Sequence, residues 1–402
     1  MKDSKVMGER KELCSFHNAS MGLEHVRCLC DSLILAAHFS IMLANLVRMK
    51  PPRISSRKQE HVELTIGRDV SFQTKTPGFE RWEFQHNALP ELDFSEVDPS
   101  TKFLGKRLSM PLLISSMTGG YEDATRINRL LAEVCAEKQL AMGVGSQRQA
   151  IQDTKFHRSF SVVREVAPDI PVFGNIGGAE VAKLKDVSTI KRLADLIKAD
   201  AFAVHLNPLQ EFLQPEGNPE FRGVLRGIEM LVRELPIPII VKEIGAGISL
   251  SVARRLIDAG IRIIDVAGAG GTSWAGVEII RRTKKTENRA SKVVGAAQSF
   301  WDWGIPTVDA LRQVCSLKIQ TPSLTVIASG GIAGGLDVAK AIAFGGDLAG
   351  AARLMLQELE AGGTKALLAK IDGWEMELKG AMFLTGSRTI ADLQAQQLVL
   401  KA

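Results

Sequence analysis

The sequence predicts an α/β protein, a (β/α)8 TIM barrel carrying an N-terminal extension, on three observations. Eight short apolar runs recur from about residue 111 onward, each ending in Gly, Ser, Asn or a charged residue. Most are spaced by roughly 25–35 residues, the length of one strand plus one crossover helix. The runs are near-continuously apolar rather than alternating, as parallel strands covered on both faces should be. An open doubly wound sheet is the alternative, but no GxGxxG follows the first run.

In order, the predicted strands are PLLISSM from Pro111, LAMGVG from Leu140, PVFGNIG from Pro171 and AFAVHLN from Ala201, then PIIVKEIG from Pro238, IIDVAGAG from Ile263, LTVIASGGI from Leu324 and LAGAARLM from Leu348. Between them, ATRINRLLAEVCAEK and VSTIKRLADLIKA carry apolar residues at three- and four-residue steps, the period of a helix with one buried face. SVARRLIDAG ends on Gly260, a C-terminal cap signal. The connection from Gly270 to Leu324 is long and carries GTSWAGVE, the basic run Arg281, Arg282, Lys284 and Lys285, and then WDWGIP. Connections of that length in compact domains are usually lids or binding loops. Trp301 and Trp303 are expected to be core or interface anchors. Residues 61–110, with HNALPELD and FLGKRL, are expected to plug or flank the barrel bottom.

Residues 54–402 are expected to form the barrel domain and 1–53 an extension, disordered or a misassigned start, with Met49 as an alternative beginning and 1–48 dispensable. The apolar stretch Leu33 to Val47 is interrupted by His38, Ser40 and Asn45. It is shorter than the roughly 20 residues that span a bilayer. It also lies behind Glu9, Glu12, Glu24 and Asp31, too far in for a simple secretory signal, so no membrane partner is expected. The five cysteines form no CxxC pair and their number is odd, which points to a reducing, cytoplasmic setting. A single tyrosine and basic residues interspersed with acids exclude a stacking surface or basic stripe for nucleic acid. The net charge of +5 is compatible with a small polyanionic substrate.

In such a barrel the C-terminal ends of the strands carry the chemistry. The first run ends in Ser116, Met117 and Thr118, the second in Ser146 and Arg148, the third in Asn175, the fifth in Lys242, and the sixth runs on to Thr272. The fourth opens into His205, Asn207, Gln210 and Glu211. A core strand has no use for that cluster at its exit, whereas a magnesium-bound diphosphate needs a hard carboxylate ligand and orienting amides. The same residues equally describe a helix start, with Asn207 before Pro208 as cap and Gln210 and Glu211 in the first turn. After the seventh and eighth runs come Gly330-Gly331 and Ala351-Ala352, where these barrels cradle a phosphate with backbone N–H groups. Flavin mononucleotide fits that place, with Lys242 stabilising the negative edge of its reduced ring. Lys242 is otherwise a buried ion-pair partner of Glu243 or Asp265.

Taken together, RKQEH (Arg57 to His61), HNALPELD, ISSMTGG, GVGSQR, GNIGG, HLNPLQE, VKEIGAGIS, DVAGAGGTSW, DWGIPT, SGGIAGGLDVAKA and AMFLTG resemble the type 2, FMN-dependent isopentenyl diphosphate isomerases, from about residue 54 to the end. The resemblance implies interconversion of isopentenyl and dimethylallyl diphosphate, with FMN, NADPH as its reductant, and magnesium. It implies flavin contacts from Ser116, Met117, Thr118, Ser146, Asn175, Lys242, Thr272, Gly330, Gly331, Ala351 and Ala352. Arg57, Lys58, Ser146, Arg148, Asn207 and Gln210 would hold the substrate and Glu211 the metal, with Gln210, Lys242 and His205 as catalytic candidates. It further implies a homotetramer or homo-octamer. Ala333 departs from the longer polar residue many relatives carry, leaving only backbone to meet the phosphate there. The rival readings are an FMN barrel oxidoreductase of the α-hydroxy-acid oxidase or dehydrogenase type, and a flavin- or phosphate-binding sensor.

Overall fold

The structure, a computed structural model, describes residues 54–285 and 292–401. The expectations for 1–53, including Leu33 to Val47 and the start at Met49, lie outside these residues. All eight apolar runs form strands: β1 (Leu112–Ile114), β2 (Ala141–Gly143), β3 (Val172–Gly177), β4 (Ala201–His205), β5 (Ile239–Lys242), β6 (Ile263–Asp265), β7 (Thr325–Ser329) and β8 (Leu348–Ala351). They pair in parallel in sequence order, and β8 pairs back to β1, closing the barrel. The open-sheet alternative is thereby excluded.

Their unbroken hydrophobicity has a visible cause. Leu113, Phe173, Ala201, Ala203, Ile240, Ile263, Ile327 and Leu348 fill the barrel interior. Their neighbours along the strands, among them Leu112, Ile114, Phe202, Val204, Val241, Ile264 and Val326, face the helical layer. Both faces of each strand are therefore dry. Register sets the height of the polar strand ends: Gly177 pairs with His205, His205 with Lys242, and Lys242 with Asp265.

The principal helices are α1 (Ile54–Gly67), α2 (Ala124–Glu137), α3 (Arg158–Val166), α4 (Ser188–Leu196), α5 (Pro208–Leu213), α6 (Val224–Glu234), α7 (Leu250–Asp258), α8 (Trp274–Lys285), α9 (Lys292–Gln298), α10 (Thr307–Cys315), α11 (Gly335–Ala343) and α12 (Arg353–Leu384). The predicted stop of α7 holds. Gly260 sits at φ +92°, and Ile261 N–H donates to Leu256 O at 3.0 Å, closing the last turn. α12 breaks at Gly362 and Gly363.

The segment before the barrel divides between its two ends. A hairpin of Thr101–Phe103 and Lys106–Leu108 inserts Phe103 and Leu108 into the bottom of the interior cluster, as a plug. Residues 61–67 instead belong to α1, which lies at the mouth. There Ser273 N–H donates to Val70 O and Phe72 N–H to Gly271 O, so the chain after α1 runs along the loop beyond β6. α1 is further fastened by Arg353 at the start of α12, which donates to Thr65 O, Arg68 O and Ser71 Oγ, each at 2.9 Å. The long connection after Gly270 supplies α8, α9 and α10; its Trp301 is buried and donates to Ser71 O, while Trp303 is exposed.

Candidate active site

A cavity of about 450 Å3 opens at the C-terminal ends of the strands, and every residue expected to bind flavin, substrate or metal lines it. Its floor is the loop after β1, where Ser115 Oγ, Ser116 Oγ and Thr118 Oγ1 are buried without a hydrogen-bond partner among the described residues. Gly145 N–H donates to Thr118 O at 2.9 Å, so the loops after β1 and β2 lie backbone to backbone. Buried hydroxyls of this kind are costly unless something binds them.

On the far side, Gly330 sits at φ +101° and Gly331 at φ +75°. A Cβ on Gly330 would stand 2.1 Å from Gly268 O, and one on Gly271 would stand 2.5 Å from Gly331 N. These loops approach so closely that only glycine fits. Two helix starts flank them. The first-turn N–H groups of Gly335 and Leu336 in α11 already donate to Glu377 Oε2, which discourages a second anion there. The start of α12, at Ala352 and Arg353 beside Ala351, carries no such acid in its first turn and is the better place for a phosphate. Ala333 is exposed and its N–H donates to Asp337 Oδ2 at 3.0 Å. The hydroxyl-lined floor and the glycine cradle fit FMN.

Lys242 is 7% exposed. Its Nζ donates to Glu243 O at 2.5 Å and lies 3.7 Å from Asp265 Oδ2. The ion pair considered from sequence therefore exists with Asp265, on a lysine that also faces the cavity. His205 Nδ1 lies 2.7 Å from Asn175 Oδ1, which fixes the Nδ1–H tautomer and leaves Nε2 as an acceptor. Burial, then the charges of Lys242 and Lys58, push His205 down to about 3, so the ring is neutral at physiological pH.

Pro208 does begin a helix, but Asn207 makes no side-chain cap. Its Nδ2 instead donates to Gln210 Oε1 (3.0 Å) and Glu211 Oε1 (3.2 Å), while its Oδ1 is buried without a partner among the described residues. Glu211 Oε2 accepts from Asn218 N–H at 2.6 Å. The helix start and the polar cluster are thus the same residues.

Arg57 and Lys58 enter from α1, Arg148 from the helix Arg148–Gln152. Lys58 Nζ donates to Gly119 O (2.7 Å) and Ser146 O (2.5 Å). Burial, then Arg57 and Arg148, push Lys58 down to about 7. Arg57 is lowered by burial and then by Arg148. Arg148 Nε lies 3.1 Å from Glu180 Oε1. Three cations gathered at one cavity wall form a site for an anion.

Sequence reasoning missed a second tier. Glu278 on α8 is fully buried. Its Oε1 accepts from Gln210 Nε2 (3.1 Å) and meets His61 Nε2 (2.8 Å), while Oε2 accepts from Arg281 Nη1 (2.6 Å). Gln214, in the amide orientation that satisfies both neighbours, accepts from Arg57 Nη1 (2.8 Å) and donates to Glu278 Oε1 (3.2 Å). His61 packs edge-on against Trp274. One signal was available: His61 follows Arg57 by four residues and Lys58 by three, on one helical face. Glu278 lay unremarked in the long connection.

The FMN-dependent dehydrogenase family model matches residues 52–157 and 184–400. A protein of Pelodictyon phaeoclathratiforme described as isopentenyl-diphosphate delta-isomerase is 46% identical over 352 residues, 87% of this chain and 98% of the relative. One of Pseudescherichia vulneris with the same description is 45% identical over 86% of this chain and 97% of its own. The chain belongs to this isomerase family. Among solved structures, a mandelate oxidase mutant with (S)-mandelic acid aligns at TM-score 0.60 over 85% of this chain and 94% of its own, and a lactate oxidase of Pediococcus acidilactici at 0.60 over 86% and 94%. Each is 17% identical, and that likeness speaks for the barrel alone. Within the isomerase family the oxidase alternative loses its ground, and flavin involvement follows from the matched family model.

Proposed function

We propose that this chain interconverts isopentenyl and dimethylallyl diphosphate with FMN held on the loops after β1, β7 and β8. The observation that carries the reading is the cation group Arg57, Lys58 and Arg148 lining one flavin-sized cavity together with the carboxylate of Glu211. A diphosphate relieves the repulsion among the cations. Among the described residues no three His, Cys, Asp or Glu side chains gather as a metal cage. A single carboxylate suits magnesium carried mainly by phosphate oxygens and water.

The reaction delivers a proton to C4, removes one from C2 and leaves no net redox change. Reduced FMN, when bound, supplies an electron-rich ring against positive charge at C3 and a nitrogen acid–base group. Lys242 holds the negative edge of that ring. Ser116, Met117, Thr118, Ser146, Asn175 and Thr272 seat it. Neutral His205 offers Nε2 as an acceptor, and Asn207 and Gln210 orient the substrate. Both ends of the Gln210 amide are tied, to Asn207 and Glu278, so it positions rather than carries a proton. α1 and α8 exclude water from the mouth.

NADPH as the reductant, a homotetramer or homo-octamer, the domain division at 1–53 and 54–402, and a cytoplasmic setting are parts of the same proposal. Cys135 and Cys315 are free thiols, which suits a reducing compartment. No helix among the described residues is long and apolar enough to cross a membrane. The test is an anaerobic isomerase assay with reduced and with oxidised flavin, beside an oxygen-uptake assay with α-hydroxy acids. Turnover with oxidised flavin, or hydroxy-acid oxidation without isomerisation, refutes the reading.

A further inference from the structure

Among the described residues Arg281 heads the largest fully buried side chains, at 2% exposure, although it opens the basic run Arg281, Arg282, Lys284 and Lys285. Each of its three nitrogens meets a carboxylate on a different segment. Nε donates to Glu60 of α1 (3.0 Å), Nη2 to Glu216 beyond α5 (2.9 Å), and Nη1 to Glu278 on its own helix α8 (2.6 Å). Arg281 does not line the cavity, so it touches neither substrate nor flavin.

We infer that Arg281 is a positioning residue: it aims Glu278 Oε1 at Gln210 and His61 and holds α1, α8 and the segment after α5 together over the mouth. The inference rests on the proposed isomerase reading of the site.

The charges facing Glu278 make the case. α1 contributes His61, Arg57 and Glu60; α5 and the residues after it contribute Glu211 and Glu216; α8 contributes Arg281. Among the described residues these are four carboxylates, two guanidinium groups and an imidazole. Arg281 pairs with three of these four acids, Glu60, Glu216 and Glu278. Without it Glu278 is a buried carboxylate with His61 as its nearest counter-charge, and Glu60 and Glu216 each lose a buried partner. Burial alone raises the Glu278 carboxyl, but His61 and Arg281 outweigh burial and hold it down at about 2. A protonated Glu278 can offer Gln210 Nε2 and His61 only a weaker acceptor. The Gln210 amide then turns, and with it the Asn207 contact that orients the diphosphate end. An apolar side chain fills the same volume without desolvating a charge. What it cannot do is keep Glu278 charged and join three segments at once.

The experiment compares Arg281→Met, Arg281→Lys and Arg281→Met/Glu278→Gln with the parent holoenzyme. In Arg281→Met, FMN affinity stays at the parent value. kcat falls about tenfold or more with a smaller change in KM. The acid limb of kcat moves upward by about one pH unit or more, because Glu278 has lost the cation that kept it ionised. Two readouts do not depend on turnover. Infrared difference spectra at neutral pH show a protonated carboxyl in Arg281→Met that vanishes in the double variant, and α1 amides exchange hydrogen faster. Arg281→Lys recovers part of kcat and returns the acid limb toward the parent; if Arg281→Met does not fold, this variant carries the same readouts. A lowered melting temperature with parental kcat, acid limb and infrared spectrum overturns the inference and leaves Arg281 a strut. If the parent itself does not isomerise, the functional reading fails, while the infrared and exchange results still decide what Arg281 does to Glu278.

Discussion

Lys58 gives a test of the anion site that needs no turnover. Its ammonium is held down to about 7 by burial and by Arg57 and Arg148. In the free protein at pH 8 it is therefore only about one-tenth protonated, and at pH 6 about nine-tenths. A diphosphate bound against the three cations replaces repulsion with attraction and returns Lys58 toward its ordinary value. Lys58 then takes up about 0.9 proton on binding at pH 8 and about 0.1 at pH 6. The sign follows from the direction of the shift: a depressed lysine that regains its charge consumes protons, so affinity weakens as pH climbs above 7, by roughly tenfold per unit once Lys58 is mostly neutral. At pH 8 the ligand is already fully ionised, since the second pKa of a phosphate ester is about 6, and does not obscure the count. Titration calorimetry of the magnesium diphosphate substrate in two buffers of different ionisation enthalpy measures the uptake directly. Lys58→Met abolishes it and leaves flavin content intact. Zero uptake at pH 8 in the parent, or parental uptake in Lys58→Met, refutes the cation-cluster reading.

Glu211→Gln keeps the fold, because Asn218 N–H retains an acceptor, but it raises the magnesium needed for half-maximal turnover about tenfold or more; an unchanged magnesium curve returns Glu211 to a helix-start role. Lys242→Met breaks a buried pair that typically costs about 3–5 kcal/mol, and here about 2–3 because Asp265 keeps Ser329 Oγ at 2.5 Å; Asp265→Asn in the same chain restores the melting temperature but not the flavin potential, whereas Arg57→Ala raises KM with flavin content unchanged. Gly330→Ala forces a Cβ to 2.1 Å from Gly268 O at positive φ. It costs about 3 kcal/mol or more together with FMN binding, while Gly373→Ala, with nothing within 4 Å, is neutral to stabilising; equal effects on melting temperature and flavin affinity defeat the cradle reading. A chain beginning at Met49 matches the full chain in melting temperature, flavin content and turnover, and a large loss in any of these assigns residues 1–48 a packing role.

The barrel was legible because a parallel strand buried on both faces leaves an unbroken apolar run, and because polar residues at the ends of such runs have few structural reasons to be there. Asn207 shows the limit of that reasoning. Before Pro208 it reads equally as a cap or a ligand; the helix does start there, but the Asn207 side chain makes no cap bond and turns to Gln210 and Glu211 instead. For Lys242 the ion-pair alternative is realised with Asp265, on a side chain that also lines the cavity. Glu278 and Arg281 were illegible for a different reason. Their meaning lies in partners far along the chain, His61 being 217 residues from Glu278 and Glu60 being 221 from Arg281. A basic residue on an amphipathic helix looks solvated until those acids converge on it. α1 carried no clean amphipathic signal because it is pinned by ionic and backbone contacts as much as by Leu64, which packs with Val70 and Val277.

The placement of α1 also has a consequence for how the molecule is made. This helix leaves the ribosome before any barrel strand exists, yet Arg353, which fastens its end to the phosphate side, lies 288 residues beyond Thr65. At about 5–20 residues per second, that partner is synthesised on the order of 15–60 s later. During that interval the partners of Lys58 at Gly119 and Ser146 and of Leu64 at Val277 are already made, but the contacts that fasten the end of α1 are not. The substrate arm is therefore secured in two stages of translation: its Lys58 end against the loops after β1 and β2, and its far end only when β8 and α12 have emerged.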